Sequence, residues 1–322
     1  MNKDVSIIMY HYVRDLAKSL YPEIRGLNYT LFQEQILFLK KHYNIIRMED
    51  LIAAIKGYQD LPPNAVLLTF DDAYADHYAN VFPTLLKHHI QGSFYAPIKA
   101  ITEKQVLDVN KIHFVLASVS DKSALVAEIY KQLDFYREQY CLESNDHYFK
   151  KLAVANRMDD KTIIFIKRLL QVELVEELRL LITDYLFCKY VSSDEESFSA
   201  SLYMNHAQIQ EMHEAGMHFG SHGYDHYWLS KLDSEALKIE VDKSKLFLDG
   251  LGVNSESLTI CYPYGDYDEN VIQVLKESGF ALGLTTRVDV ANISLDDQFQ
   301  LPRLDTNDLP KDSSAKPNEW YK

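Results

Sequence analysis

Short apolar segments rich in β-branched and aromatic residues alternate with helical patterns along most of this chain. Val66–Phe70 (Val-Leu-Leu-Thr-Phe) is the clearest of these segments, since it is too short for a helix and has the composition of a buried strand. Comparable segments lie at Val5–Tyr12, Tyr43–Arg47, Gly92–Pro97, Met217–Ser221, Ser257–Tyr262, Phe280–Thr285 and Gln300–Leu304. Strands that alternate with helices predict an α/β protein with a parallel sheet covered by helices.

Polar residues follow five of the predicted strands at the point where each strand ends. They are Tyr10-His11, Asp71-Asp72, Ser221-His222, Tyr262-Pro263-Tyr264 and the segment Arg303–Asp305. In α/β barrels the active site is built from the carboxyl ends of several different strands. The sequence therefore predicts a barrel whose mouth carries these side chains.

With 322 residues, the chain is long enough for one large domain and an elaboration. The strand pattern stops between residues 101 and 204, where long helical patterns take its place. We predict a barrel formed by residues 1–100 and 205–310, a helical insertion at 101–204 and a loosely ordered C-terminal tail at 311–322. The insertion either caps the site or forms a homodimer surface, and the sequence leaves both alternatives open.

The composition and the N-terminal segment restrict the classes of partner. A formal net charge of −14 argues against a nucleic-acid partner, because the chain offers no basic stripe for phosphates. No apolar run approaches the roughly 18 residues that predict a membrane span. The three cysteines lack a disulfide spacing, and the first residues lack signal-peptide features. We therefore expect a cytoplasmic protein without an integral membrane segment.

Two carboxylates and two imidazoles form the chemically most informative set. Asp71 and Asp72 end one strand, and His222 and His226 follow another, in a segment that Gly220 and Gly223 allow to turn tightly. Taken alone, an Asp pair is commonly a helix cap and a His-x3-His spacing is commonly incidental. Two imidazoles and one carboxylate suit a divalent metal with open positions, and the second carboxylate is then free to act as a base. The set predicts metal-assisted hydrolysis.

Three of these segments together carry a family resemblance. Thr69-Phe70-Asp71-Asp72, Ser221–His226 (Ser-His-Gly-Tyr-Asp-His) and Tyr262-Pro263-Tyr264-Gly265 resemble the first three motifs of the polysaccharide deacetylases, the NodB-homology or family 4 carbohydrate esterases. The resemblance implies an irregular (β/α) barrel and a hydrolase that cleaves the carbon–nitrogen bond of N-acetyl groups on amino sugars.

The resemblance also implies a role for each matching residue. Asp71 resembles the general base, while Asp72, His222 and His226 resemble the metal ligands. The backbone N–H of Tyr264 maps onto the group that stabilises the oxyanion. One divalent ion is implied, with Zn as the first expectation and Co, Ni, Fe or Mn as alternatives.

The chain departs from the family pattern at two positions. The third motif usually begins with an Arg that orients the base, and Cys261 stands there instead. Arg303 is a candidate replacement, although a structural ion pair with Asp305 or another acid is nearly as well supported.

The second departure concerns the general acid. The C-terminal Leu-x-His motif is missing, because no histidine follows His226. His11 resembles the Tyr-His segment of members whose acid precedes the Asp pair, and an imidazole suits proton transfer near neutral pH. The alternative for His11 is a buried, hydrogen-bonded histidine in a strand.

Further residues at the strand ends are expected to bind the substrate, namely Tyr224, Tyr262 and Asp305. The chain is similar to deacetylases of bacterial surface-polysaccharide pathways, such as those of O-antigen or capsule. We expect an N-acylated amino sugar linked to a nucleotide or a lipid. The competing interpretation is a non-catalytic carbohydrate-binding protein that kept the fold, which the two departures favour and the intact metal-and-base set opposes.

Overall fold

The computed structural model describes residues 2–155 and 159–321, so residues 156–158 of the predicted insertion lie outside the described residues. The strands are β1 (Asp4–Tyr10), β2 (Val13–Arg14), β3 (Leu27–Asn28), β4 (Asn44–Ile45), β5 (Ala65–Asp71), β6 (Ser93–Ala96), β7 (His218–Ser221), β8 (Thr259–Cys261), β9 (Leu282–Leu284), β10 (Ala291–Asn292) and β11 (Leu304–Asp305). The helices are α1 (Tyr29–His42), α2 (Met48–Ile55), α3 (Phe82–His88), α4 (Ile98–Thr102), α5 (Asp108–Ser118), α6 (Lys122–Tyr136), α7 (Asn145–Leu152), α8 (Lys161–Arg168), α9 (Glu176–Tyr190), α10 (Glu195–Leu202), α11 (His206–Glu214), α12 (Ser234–Leu251) and α13 (Glu269–Glu277).

Nine strands of the described chain form one curled sheet. Its main path runs β10-β1-β5-β6-β7-β8-β9, with β4 also paired to β5 and β11 also paired to β1. All neighbours are parallel except β1 and β10. Parallel neighbours bring the carboxyl ends of their strands to one edge of the sheet, which is where the sequence predicted the polar residues.

The segment from Leu301 to Asp305 closes the curled sheet. Leu301 bridges Leu284 of β9, and Leu304 pairs with Ile8 of β1. The segment therefore contacts the last strand of the path on one side and β1 on the other. The predicted fold class, an α/β protein built on an irregular (β/α) barrel, is confirmed.

The side chains of β5 alternate between two apolar clusters. Val66, Leu68 and Phe70 belong to the larger cluster, which also holds buried residues of the surrounding helices. Leu67 belongs to a smaller cluster with Ile7, Tyr95, Cys261 and Leu284 of the neighbouring strands. Because successive side chains of a strand point to opposite faces, Asp71 shares the face of Leu67 and Thr69. The base candidate therefore lies at the end of the inner face.

The chain divides into two compact units. One holds the described parts of Met1–Asp15, Gly26–Gln105 and Ser199–Lys322, and it contains the sheet. The other holds Leu16–Arg25 and the described parts of Val106–Phe198, and it is largely helical. The domain boundaries at 100 and 205 stay a prediction, as does the role of the helical unit. No helix of the described residues combines the length and the apolar character needed to cross a membrane.

Residues 311–321 contact the sheet-containing unit at several points, while the loosely ordered C-terminal tail stays a prediction. The backbone N–H of Ser313 donates to the Glu34 side chain of α1 at 3.1 Å, and the side-chain amide of Asn64 donates to the Tyr321 hydroxyl at 2.9 Å. Ala315 and Trp320 pack against the larger apolar cluster. The polar composition of this segment concealed these two apolar contacts.

Candidate active site

Asp72, His222 and His226 converge at the carboxyl edge of the sheet. Asp72 directly follows β5 and His222 directly follows β7, and the two strands are separated only by β6. Oδ1 of Asp72 lies 3.4 Å from Nε2 of His222 and 3.5 Å from Nε2 of His226. The three potential ligand atoms all lie within 4.8 Å of one another, and all three side chains are buried.

The chemistry of these atoms fits a divalent cation. Within the described part of the chain, Oδ1 of Asp72 is buried without a hydrogen-bond partner. Its other oxygen, Oδ2, accepts a hydrogen bond from the Tyr74 hydroxyl at 2.6 Å. Nδ1 of His222 donates to the carbonyl oxygen of Cys261 at 2.7 Å, which leaves the lone pair of Nε2 facing Asp72. A buried carboxylate oxygen without a donor is costly, and a cation bound by all three residues would remove that cost.

Burial and the carboxylates determine the protonation of the two histidines. Burial and neighbouring His222 together lower the pKa of His226 to about 3, so His226 is a neutral imidazole. Burial also lowers the pKa of His222, but Asp72 and Asp71 outweigh it and the net pKa is raised. For Asp72, burial raises the pKa, yet His222 and His226 leave it lowered overall. An ionised carboxylate beside imidazoles is the donor set that a divalent metal takes.

Asp71 is held by a guanidinium. Nη1 of Arg303 donates to Oδ1 of Asp71 at 2.9 Å, and Nη2 donates to Oδ2 at 2.8 Å. Nε of Arg303 donates to the Thr285 carbonyl oxygen at 2.9 Å, and the hydroxyl of Thr69 lies 3.2 Å from Nη1. Two parallel bonds fix the plane of the carboxylate as well as its position.

The partner of Arg303 bears on the two alternatives left open for this residue. Arg303 pairs with Asp71 and not with Asp305, and its Nη1 lies 3.0 Å from Sγ of Cys261. Burial raises the pKa of Asp71, but Arg303, His222 and His11 outweigh it and lower the pKa to about 2. Asp71 is therefore ionised at neutral pH, as a proton acceptor must be.

His11 lies at the open side of Asp71. Its Nε2 is 4.0 Å from Oδ2 of Asp71, and its side chain is 40% exposed. The buried ring of His77 donates through Nε2 to the carbonyl oxygen of His11 at 2.8 Å and so holds the backbone at the end of the first strand. His11 is therefore not the buried strand histidine of the alternative interpretation.

Tyr264 follows β8 with φ near 58°, a left-handed backbone that is uncommon for a side chain of this size. Its ring contacts the edge of His226 with centroids 4.7 Å apart and stacks on Trp228 at 4.5 Å with planes 8° apart. The aromatic stack links the third motif to the histidine turn.

The three residues predicted to bind substrate lie in different settings. Tyr262 is fully buried, and its hydroxyl donates to the carbonyl oxygen of Phe299 at 2.9 Å, so the structure offers a substrate no contact with it. Asp305 accepts hydrogen bonds from the backbone and side chain of Asn307 and so caps a short helical turn. Tyr224 is partly exposed and lines a cavity of about 320 Å³ with Lys99 of α4 and with residues of α12 that include Glu240.

Sequence reasoning missed several residues that support the site. The hydroxyl of Tyr74 holds Asp72, although no motif indicates this contact. Neither Trp228 nor Glu240 lies in a recognised motif, and only the fold stacks Trp228 on Tyr264 and brings Glu240 to the histidine turn. The carbonyl of Cys261 gave no signal at all, since a backbone group is the same in every residue.

The polysaccharide deacetylase family model matches residues 175–283. This segment contains both histidines and the third motif, and the structure adds Asp71 and Asp72 from outside it. Over this segment the chain is similar to the polysaccharide deacetylases. Its fold class and the placement of the three motifs agree with that similarity.

Individual polysaccharide deacetylases resemble the chain in sequence or in fold. Bacillus subtilis (strain 168) protein YxkH, which is named as a polysaccharide deacetylase, is 28% identical over 90 residues, or 28% of this chain. The chain spans only about a third (32%) of the length of that curated relative.

Two solved structures share the fold. Streptococcus pyogenes deacetylase PplD, in complex with acetate, aligns with a TM-score of 0.58 and 17% identity over 95% of this chain and 93% of its own. The BpsB deacetylase domain from Bordetella bronchiseptica aligns with a TM-score of 0.53 and 17% identity over 94% and 96% of the two chains. At such low identities, these likenesses concern the fold alone.

Proposed function

We propose that this chain is a hydrolase that removes an N-acetyl or similar acyl group from an amino sugar, using one divalent metal ion. The observation that carries the proposal is the unpartnered Oδ1 of Asp72, which faces two imidazole nitrogens beside an Arg-held carboxylate. Asp72, His222 and His226 would hold the ion, for which Zn is the first candidate. A bound ion would supply Lewis-acid polarisation of the acyl carbonyl and a lowered pKa for its water.

Asp71 is the proposed general base. It takes the proton of the attacking water, and Arg303 keeps its carboxylate ionised and aimed while this happens. Because Arg303 contacts Asp71 and not the reacting atoms, it is a positioning residue. The third motif has Cys261 in place of an arginine, and that departure favoured a non-catalytic protein. Arg303 supplies the missing interaction with the base.

His11 and Tyr264 are the proposed partners of the leaving group and the oxyanion. His11 is partly exposed beside Asp71, so it can give a proton to the departing amine. The backbone N–H of Tyr264 is proposed to donate to the oxyanion that develops from the carbonyl. The stack on Trp228 keeps that backbone in its left-handed conformation.

The proposed substrate is an N-acylated amino sugar linked to a nucleotide or a lipid, used in the cytoplasm to make a bacterial surface polysaccharide. Support comes from the family and from aromatic side chains near the site, of which Tyr264 and Trp228 are stacked. The tyrosine that lines the cavity beside α12, Tyr224, is the remaining proposed substrate contact.

Acetate release from a panel of N-acetylated sugars, with and without added metal, tests the proposal. We expect metal-dependent release by the wild type, loss of metal in His222→Ala, and retained metal without turnover in Asp71→Asn. The exposed His206→Ala is the matched control and should behave as wild type. Tight metal retention by His222→Ala would contradict the ligand assignment. A folded, metal-loaded wild type that releases no acyl group from any sugar would favour the carbohydrate-binding interpretation.

A further inference from the structure

The turn between the two metal-ligand candidates is held from its outer side by a carboxylate. Glu240 of α12 accepts a hydrogen bond from the backbone N–H of Tyr224 at 2.6 Å. The N–H of Asp225 contacts both carboxylate oxygens, at 3.1 and 3.2 Å. Tyr224 and Asp225 lie between His222 and His226, so one side chain holds two consecutive amides of the turn.

The turn and Glu240 approach each other closely. Gly223 has φ near 74°, and a β-carbon there would lie 3.2 Å from Oε2 of Glu240. The N–H of Gly223 donates to the Ser221 hydroxyl at 3.1 Å. Three consecutive amides of the turn therefore point at side-chain oxygens, two of them at one carboxylate, which is the arrangement of an anion-binding backbone turn.

The carboxylate of Glu240 is buried, with 5% of the residue exposed. Burial, with a smaller contribution from the Asp225 carboxylate, raises the pKa of Glu240, while the Tyr224 and Asp225 amides and Lys243 lower it. The net pKa is about 7. The other charged groups around it are paired: Lys99 with Asp225, and Glu103 with the Tyr224 hydroxyl. A buried acid is costly unless its hydrogen bonds compensate, and here the compensating donors belong to the histidine turn.

The other face of the turn is held from α4, by the ion pair of Lys99 with Asp225 and by backbone hydrogen bonds. The N–H of Lys99 donates to the Tyr224 carbonyl oxygen at 2.8 Å, and Ile98 donates to Gly223 at 3.4 Å. Glu240 is thus the side chain that completes the clamp opposite α4. A rigid turn matters here because His226 has a left-handed backbone (φ 57°), which orients its ring back toward Asp72.

We infer that Glu240 is a positioning residue for the metal site, holding the His222–His226 turn so that both Nε2 atoms face Oδ1 of Asp72. The inference rests on the proposed function. It predicts that weakening the hydrogen bonds of Glu240 to this turn lowers metal affinity although Glu240 touches none of the proposed metal-ligand atoms.

Cobalt titration of the full chain tests the inference, at a pH above the pKa of about 7 of Glu240. In Glu240→Gln one carboxylate oxygen becomes an NH2 group, which cannot accept from an amide. We expect Co²⁺ to bind about 10- to 100-fold more weakly and its visible absorption spectrum to change, as for other outer-shell partners of metal ligands. Glu235→Gln, on the exposed side of α12, is the matched control and should leave affinity and spectrum unchanged.

The outcomes separate this inference from the proposed function. Wild-type affinity and spectrum in Glu240→Gln would overturn the inference alone. Failure of the wild type to bind Co²⁺, or equal binding by His222→Ala, would overturn the proposed metal site and the inference with it. If Glu240→Gln does not fold, Glu240→Asp keeps the charge but shortens the reach; weaker binding then supports the inference, and unchanged binding contradicts it.

Discussion

Three residues of the candidate site have a left-handed backbone: Asp72 (φ 74°), His226 (φ 57°) and Tyr264 (φ 58°). For residues with a β-carbon this conformation costs about 1–2 kcal/mol each, so the surrounding contacts must hold it. Asp72 is held by the Tyr74 hydroxyl, and Tyr264 is held by its stack on Trp228. Strain at three residues that converge in space is typical of a functional site.

The Arg303 pair makes stability depend on pH through Asp71. The folded-state pKa of Asp71 is about 2, below its ordinary value of 3.8. A lowered pKa stabilises the folded state above 3.8, and this contribution is lost as pH falls towards 2. The difference corresponds to about 2 kcal/mol of unfolding free energy.

Arg303→Lys should reduce this dependence, because one ammonium replaces two parallel bonds and burial then raises the pKa of Asp71. Urea unfolding at a series of acid pH values measures how the free energy of unfolding depends on pH. Arg287→Lys changes an exposed arginine and serves as the control. If the free energy of unfolding falls equally towards acid pH in wild type and in Arg303→Lys, Arg303 is not the group that lowers the pKa of Asp71.

At the scale of elements, the guanidinium reaches Asp71 from the closing segment before β11. The family places an arginine at the end of β8, where this chain has Cys261. Sγ of Cys261 lies 3.0 Å from Nη1 of Arg303, so the two positions share one space around the base. We therefore expect that an arginine on either element would place its charge beside Asp71.

A residue exchange tests this equivalence. Arg303→Cys should lose most turnover because it leaves Asp71 buried without a cation. The double variant Cys261→Arg/Arg303→Cys should regain part of that turnover, since it returns the guanidinium from β8. Acyl release by wild type, single and double variants is the measurement. A double variant no more active than Arg303→Cys, although folded, would show that the direction of approach matters.

The C-terminal segment acts as a structural element of the sheet-containing unit. Trp320 packs against the larger apolar cluster, so Trp320→Ala should lower the free energy of unfolding by about 1–2 kcal/mol through lost apolar burial. Thermal unfolding measures the change, with the exposed neighbour Glu319→Ala as control. Equal melting temperatures for the two variants would mean that the tail does not stabilise the fold.

At the scale of the whole molecule, a metal bound only by the folded chain must stabilise it. The proposed ligands come from residues 72, 222 and 226, which meet only after the sheet has formed. At a free metal concentration a hundred times Kd, the expected stabilisation is about 2.7 kcal/mol. Metal addition should raise the melting temperature of wild type, chelation should reverse the rise, and His222→Ala should show neither. If metal leaves the melting temperature of the wild type unchanged, the proposed metal site is contradicted.

Local chemistry made part of this protein predictable. The strand and helix patterns predicted an α/β barrel, and this fold class is confirmed. The hydrophobic period and the length of each segment were therefore enough to predict the fold class. The motifs also predicted which side chains would meet: Asp72 and the two histidines are 150 residues apart in sequence, yet each follows a parallel strand. Parallel strands align their carboxyl ends, so the position of each residue at the end of its strand was sufficient to predict that these side chains meet.

The sequence by itself thus determined the fold class and the residues at the strand ends. Only the tertiary structure decided what those residues contact: that Arg303 holds Asp71 and not Asp305, that Tyr262 is buried, and that Glu240 clamps the histidine turn. The physical reason is that strand patterns are local, with a period of two residues. The partner of a charged side chain depends on sheet order, barrel closure and helix packing, which join residues far apart in the chain.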